Sequence, residues 1–357
     1  MDVSTEDDAL VLPPKIKKTH RIGVVAPALV VVVAFAAWSG YWFYTADQVQ
    51  KRVLAEQQAL IKAGYQASID PFAVTGYPYR MYVDLKNVTV VSPSGKGFTA
   101  PEIVAEANAY ALTKWVMVAP KGLTLFRGHP GGVDLGRIAV TGSALRASVS
   151  RLGQPVQNVS IQGTDLVLTP SDPTHPFVFN RADVFEAYTR ANATQPDAAD
   201  WLLRIDGAHG EPGSVAGDFS PGQPVTLHAE GTLTHASAFK GDISTGLGAW
   251  SAVGGQVSGV HMMLKAGDLS LTATSPALSA DSQSRLSGHL DLEISGTYKP
   301  VDVLAATRLI SAENLALAKP LLDMTLSTGG TQKFGFDFKN GGTYIGFLKV
   351  SNAPILP

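Results

Sequence analysis

The sequence predicts a mainly β protein: an N-terminal transmembrane helix followed by one large, curved antiparallel β-sheet (gutter or sandwich) with a few short helices. Three observations lead to this prediction. Residues 22–44 contain no charged side chain. Behind them, apolar and polar residues alternate with a period of two in one segment after another. Only 16% of residues are charged, whereas glycine (35) and proline (22) are frequent, which favours short strands and tight turns.

Residues 22–44 have the length of a membrane-spanning helix. They rise about 34 Å, enough to cross a hydrocarbon core of about 30 Å. Aromatic residues, which favour the headgroup layer, end the segment: Trp38, Tyr41, Trp42, Phe43 and Tyr44. A cleaved signal peptide, the alternative, would have a shorter apolar region followed by small residues. We therefore predict an uncleaved anchor.

Positive charge in front of the apolar segment predicts its orientation. The basic residues before it are Lys15, Lys17, Lys18 and Arg21, and only Lys51 and Arg52 follow closely. Since basic residues stay in the cytoplasm, residues 1–21 are predicted to be a cytoplasmic tail. Residues 45–64 form a helical stalk, and 65–357 an exported β-rich domain. An exported chain without cysteine fits a bacterial periplasm, so we predict a single-pass inner-membrane protein with its bulk in the periplasm.

Alternation predicts the strands of the exported domain. It is clearest over 286–294, and 81–90, 225–233 and 334–338 repeat it. Further strands are expected at 123–126, 137–149, 157–169, 201–206, 257–264 and 268–274. Strands with one apolar face are typical of antiparallel sheets packed on one side. Helical spacing predicts helices at 180–193 and 300–322, and glycine-rich connections are expected at 207–222 and 241–255.

The residues give no catalytic signal, so we predict no enzymatic activity and no cofactor. No nucleophile elbow or phosphate-binding glycine loop occurs, and the eight histidines are scattered singly. His228 and His289 fall on the polar faces of strands, where solvation is expected rather than metal binding. A net charge of −2 gives no electrostatic footprint for nucleic acid.

The densest cluster of special residues is Gly76, Tyr77, Pro78, Tyr79 and Arg80, directly before a predicted strand. Glycine permits positive φ and proline removes a ladder donor, so the element predicts a kink at the start of an edge strand. The tyrosines and the arginine would then form a cation–π or capping cluster. The alternative is a rim that contacts lipid headgroups, because arginine binds phosphate in bidentate fashion.

These motifs resemble an uncharacterised bacterial family, domain of unknown function 2125, over nearly the whole chain. The family's G-[FY]-P-[FY]-R element matches residues 76–80. Its other motifs match Trp250 with Gly254 and Gly255, and, near the C-terminus, Gly341, Gly342, Gly346 and Pro354. Segment 112–122 departs from the pattern, because Trp115 is not part of the expected Trp-x-Pro. The resemblance implies no catalytic residue. More remotely, the layout is similar to the AsmA-like envelope proteins, which implies a concave apolar sheet that carries lipid.

Three functions follow as hypotheses. The first is a non-enzymatic, membrane-anchored protein whose sheet holds a lipid or other apolar ligand in envelope maintenance. The second is a structural or partner-binding domain with a closed core. The third is an envelope hydrolase whose residues come together from distant loops. Continuity of an exposed apolar channel along the sheet would separate the first two.

Overall fold

The computed structural model describes residues 22–129, 132–239, 243–297, 303–304 and 330–356. Its first element, α1 (Ile22–Lys62), is one continuous helix over the predicted membrane segment and most of the predicted stalk. Within the described ranges, α1 alone is long and apolar enough to cross a membrane. Gly64 (φ +86°) caps its end, and the Tyr65 N–H donates to the Leu60 carbonyl over 3.0 Å. The predicted tail lies outside the described residues.

Eighteen strands follow in the part of the chain that the structure describes. The first nine are β1 (Gln66–Ser68), β2 (Val74–Thr75), β3 (Arg80–Val91), β4 (Lys96–Asn108), β5 (Trp115–Val118), β6 (Leu123–Arg127), β7 (Arg137–Thr141), β8 (Ala144–Ser150) and β9 (Asn158–Pro170). The others are β10 (Phe179–Ala191), β11 (Ala199–Gly210), β12 (Pro224–Leu233), β13 (Val257–Ala266), β14 (Leu269–Ala280), β15 (Leu286–Ser295), β16 (Thr331–Lys339), β17 (Gly342–Ile345) and β18 (Leu348–Asn352).

All strand pairs are antiparallel, and together they form one sheet. From β9 to β18 each strand pairs with the next along the chain. Towards the other edge, β5 and β6 both pair with β4, and β7 and β8 both pair with β9. β3 pairs with β4 and, on its other side, with β1 and β2, which contact α1. The predicted strand 137–149 is therefore two strands.

The predicted fold class is confirmed: the chain is mainly β, with one large antiparallel sheet, an N-terminal apolar helix and few short helices. The alternation predicted over 286–294 lies in β15. There Leu292 and Ile294 are buried, whereas Asp291, just before them, is exposed and Glu293, between them, is half-buried. Period-two patterning therefore identified the apolar face of this strand.

The two ends of the strands are packed differently. We call the end where β3 begins, beside Trp42 of α1, the proximal end, and the opposite one the distal end. Much of the buried core lies at the distal end, including Ile138, Leu166, Leu168, Phe179, Ala182, Ala208, Val225, Ala266 and Leu269. Val303 and Leu304, between β15 and β16, belong to the same core. The rest of the predicted helix 300–322 lies outside the described residues.

Two expectations about helices are wrong. Residues 180–191 of the predicted helix 180–193 lie in strand β10, not in a helix. The residues whose spacing predicts a helix, Val184, Phe185 and Tyr188, are half-buried in this strand, and Phe185 packs against the core. The predicted connection 241–255 contains α3 (Ile243–Ala252), and 207–222 contains α2 (Val215–Phe219).

Candidate functional site

The element 76–80 forms a tight turn into β3. Gly76 has a φ of +99°, and its carbonyl accepts a hydrogen bond from the Arg80 N–H over 3.0 Å. A Cβ on Gly76 would lie 2.9 Å from the Arg80 carbonyl oxygen. Both the positive φ and this close approach restrict the position to glycine.

This turn is bound to one side of α1, a contact that the sequence did not predict. The indole N–H of Trp38 donates to the Pro78 carbonyl over 2.9 Å, and that of Trp42 donates to the Arg80 carbonyl over 3.0 Å. The hydroxyls of Ser39 and Tyr77 share a hydrogen bond of 2.7 Å. Positions 38, 39 and 42 lie on one face of a helix, so three side chains of α1 hold the turn together.

An aromatic and apolar cluster surrounds these hydrogen bonds. The Tyr77 ring stacks on Phe43 (centroids 5.6 Å apart) and meets Trp42 edge-on at 5.5 Å. Trp42, only 3% exposed, packs with Met81 and Ala109, which are completely buried. The junction between α1 and the sheet therefore has a small hydrophobic core of its own.

The side chain of Arg80 points away from the aromatic rings of this junction. It forms an ion pair with Glu106 on the neighbouring strand β4, and both side chains are solvent-accessible. An accessible ion pair adds little to stability, about 1 kcal/mol or less. The backbone of Arg80, rather than its charge, makes the contact with α1.

A single apolar row crosses the sheet near the middle of its strands. Residues directly opposite each other on paired strands share a face. Following the partners from β3 to β16 gives Val83, Ala105, Met117, Ala147, Ile161, Ala187, Leu203, Ala229, Met262, Ala273, Leu292 and Phe334. Alanine occupies every second strand up to β14, so large side chains stand apart with shallow hollows between them.

Exposure varies along this apolar row. Val83 at the β3 end is 2% exposed, and Phe334 at the β16 end is 6% exposed. Ile161, on β9 between them, is 49% exposed, and its neighbours Ala147 and Ala187 are half-buried. The row is thus covered at both ends and open in its centre.

The adjacent row, one residue along each strand, lies on the opposite face and is polar at nine of its twelve positions. Its members are Asp84, Val104, Val118, Arg146, Gln162, Glu186, Arg204, His228, Met263, Thr272, Glu293 and Lys333. We call this the polar row. Its side chains pair with one another, as Gln162 does with Glu186 (3.2 Å) and Lys333 with Glu293. This face is therefore suited to water.

The two histidines predicted to be solvated are half-exposed and paired with carboxylates. His228 Nε2 lies 2.9 Å from Asp206, and His289 Nδ1 lies 2.7 Å from Asp337. The hydrogen bond between His289 and Asp337 raises the pKa of the imidazole and lowers the pKa of the carboxyl. Within the described ranges, no cluster of three or more metal-ligating residues occurs.

An apolar cavity of about 260 Å³ lies where the sheet meets the outer half of α1. Val53 and Leu60 of α1 line one side, and Leu85 and Val88 of β3 line the other. Arg52 and Glu56, exposed and paired with each other, are also among its lining residues. The helix therefore covers β3 loosely and leaves a space suited to apolar groups.

Fold and site together define a single-sheet β protein that packs against its own N-terminal apolar helix. The chain matches, over residues 42–354, the bacterial family described as "Uncharacterized protein conserved in bacteria (DUF2125)", and it belongs to that family. No curated protein and no solved structure matches the chain. The comparisons do not show a similarity to the AsmA-like envelope proteins.

The other motifs of the resemblance have backbone roles. Trp250, buried in α3, donates its indole N–H to the Thr234 carbonyl over 2.6 Å. A Cβ on Gly255 would lie 2.3 Å from the Trp250 ring, so only glycine fits beneath it. A Cβ on Gly342 would likewise lie 2.8 Å from Tyr344. These residues therefore determine local backbone packing.

Proposed function

We propose that this chain is a single-pass, inner-membrane-anchored periplasmic protein whose sheet holds a lipid acyl chain in envelope maintenance. The observation that carries the proposal is the apolar row, continuous over twelve strands and open at Ile161. The consecutive members that are not buried, from Ala105 to Leu203, cross six strands, so at about 4.8 Å per strand the accessible part of the row extends for about 24 Å. A long, narrow apolar track matches a hydrocarbon chain better than a compact ligand.

The apolar row also argues for binding rather than catalysis. None of its twelve members can act as an acid, base or nucleophile, and their alternation with alanine provides hollows instead of polar contacts. Ligand sites of this type are apolar, with polar groups only where orientation matters. The proposal therefore assigns the chain no reaction step.

The charge asymmetry around the apolar segment supports the periplasmic part of the proposal. Four basic residues, Lys15, Lys17, Lys18 and Arg21, directly precede the apolar segment in the sequence. Basic residues are retained in the cytoplasm during insertion, so the sheet would be exported. The absence of cysteine fits a compartment in which free thiols would oxidise.

A structural or partner-binding domain is the second candidate, and the distal core favours it. Residues such as Ile138, Ala182 and Leu269 are almost completely buried, so that half of the apolar face needs no ligand. If the chain is a partner-binding domain, Ile161 would contact a protein partner rather than a lipid.

Lipid extraction from paired variants tests the proposal. Three full-length proteins, the parent, Ile161→Asp and Gln162→Asp, would be purified from membranes in the same detergent. The amount of bound phospholipid per protein would then be measured for each. Lipid around α1 is common to all three, so any difference reports the sheet. We expect Ile161→Asp to lose lipid and Gln162→Asp, exposed on the polar row, to retain it. Equal lipid in all three would contradict the proposal.

A further inference from the structure

We infer that the proximal end of the sheet rests on the headgroup layer of the bilayer that α1 crosses. The surface concerned, which we call the membrane seat, comprises the turn before β3 (76–79) and the turn between β4 and β5 (109–114). The inference rests on the membrane anchorage in the proposed function. It does not depend on whether the sheet binds a lipid.

Hydrogen bonds from α1 fix the height of the membrane seat. About 20 helical residues cross the hydrocarbon core, so a span that starts at Ile22 leaves the core near Tyr41. Trp38 and Trp42 lie on either side of that level, and their indoles hold the turn before β3. That turn therefore lies at the boundary between hydrocarbon and headgroups, not in the water beyond.

Two tyrosines of the membrane seat project outward at this height. Tyr79 is 69% exposed and Tyr110 is 70% exposed. The residue between them in space, Ala109, donates its N–H to the Tyr79 carbonyl over 2.9 Å and accepts from the Tyr41 hydroxyl over 3.2 Å. Both turns are thus fixed to each other and to α1. A tyrosine with an apolar ring and a polar tip is suited to the headgroup layer.

Charge at the same end matches lipid phosphate. Lys114, in the turn between β4 and β5, is exposed, and so is Arg151 in the turn after β8. The two turns are linked, because the Leu152 N–H donates to the Thr113 carbonyl over 3.3 Å. Basic residues at a bilayer surface are attracted to anionic headgroups. Aromatic and basic residues together identify a lipid headgroup layer as the occupant of this surface.

Single-cysteine labelling tests the membrane seat. Because the chain has no cysteine, the variants Tyr79→Cys, Tyr110→Cys and Ser94→Cys can each carry one environment-sensitive dye. Ser94 is exposed in the turn at the distal end of the β3–β4 hairpin and serves as the matched control. The full-length proteins would be reconstituted in liposomes of phosphatidylethanolamine and phosphatidylglycerol. Spin labels would be placed on the headgroup or deep in the acyl chain.

We expect headgroup spin labels to quench the dyes at positions 79 and 110 at least about twofold more strongly than the dye at position 94. Equal quenching at all three positions, or stronger quenching by the deep label, would overturn the inference. Carbonate washing separates the two possible failures. If the protein stays in the membrane but the dyes are not quenched, the membrane seat is excluded and the membrane span is not. A protein partner that covers this surface would give the same result. Protein released by carbonate excludes the membrane span as well.

Discussion

Ile161 and Phe334 lie on the same apolar row, yet half of one side chain is exposed and the other is buried. Near Phe334 the row belongs to a core that also contains Leu292 and the connecting residues Val303 and Leu304. Around Ile161 the neighbouring side chains on the same face are only half-buried. The difference teaches that strand alternation decides which face is apolar, while the packing on that face decides where it becomes core and where it stays accessible.

The largest expected effect is the loss of a large side chain from the filled end of the row. Phe334→Ala should destabilise the protein by about 3–5 kcal/mol, because it removes a buried ring and leaves a cavity. Ile161→Ala, half-exposed before substitution, should cost about 1 kcal/mol. Denaturation of both full-length variants in one detergent measures the difference. Similar losses from the two substitutions would mean that both parts of the row are core.

A smaller effect is expected at the junction that holds the proximal end against α1. Gly76→Ala forces a side chain into a positive-φ position and against the Arg80 carbonyl, which should cost about 1–3 kcal/mol. Arg80→Ala keeps the backbone contact with Trp42 and loses only an exposed ion pair, so it should cost less than about 1 kcal/mol. Thermal melts of the two variants decide this. A melt of Gly76→Ala that overlaps the parent's would show that the turn tolerates a side chain.

The smallest effect is on the water-facing side of the sheet, where His289 pairs with Asp337. The pKa of His289 is higher in the folded protein than in the unfolded chain. The stabilisation that its charged imidazole gives to the fold is therefore complete below the unfolded pKa and is lost as the pH rises through the folded pKa. The pKa of Asp337 is lower in the folded protein than in the unfolded chain. The stabilisation that its carboxylate gives is therefore present above the unfolded pKa and is lost as the pH falls through the folded pKa. The pair should therefore matter most between about pH 4 and 6, by less than about 1 kcal/mol for half-exposed groups.

The difference in melting temperature between the parent and His289→Gln measures this pair. It should be larger near pH 5 than near pH 8, in the window that the two pKa directions define. Gln162→Ala, on the same face but without a titrating group, is the control. A difference that grows towards alkaline pH would have the wrong sign for this pair.

Sequence reasoning could predict the faces of individual strands but not their alignment. The alternation over 286–294 specified the inward residues of β15. Which residue of one strand lies beside which residue of the next depends on irregularities such as the register shift between Phe179 and Arg181 where β10 pairs with β11, and no local pattern encodes these. The apolar row depends on the alignment of twelve strands, so the sequence alone does not predict it.

The docking of residues 76–80 on α1 was missed for a related reason. In the sequence, the aromatic residues Trp38 and Trp42 predict a position in the headgroup layer, and the glycine turn predicts a strand start, as separate local signals. Their hydrogen bonds join residues about 40 positions apart, and no local pattern encodes such a pairing. The positive φ expected for Gly76 is a local property, and the structure has it.

Photocrosslinking in native membranes tests the central claim most directly. A photoreactive phenylalanine analogue would replace Ile161, Phe334 or Gln162 in the full-length protein, in cells whose phospholipids carry a radioactive label. The account predicts a lipid adduct at Ile161, and little or none at buried Phe334 or at Gln162 on the opposite face. Equal labelling at Ile161 and Gln162, or protein adducts alone at Ile161, would contradict the claim that the open part of the row holds an acyl chain.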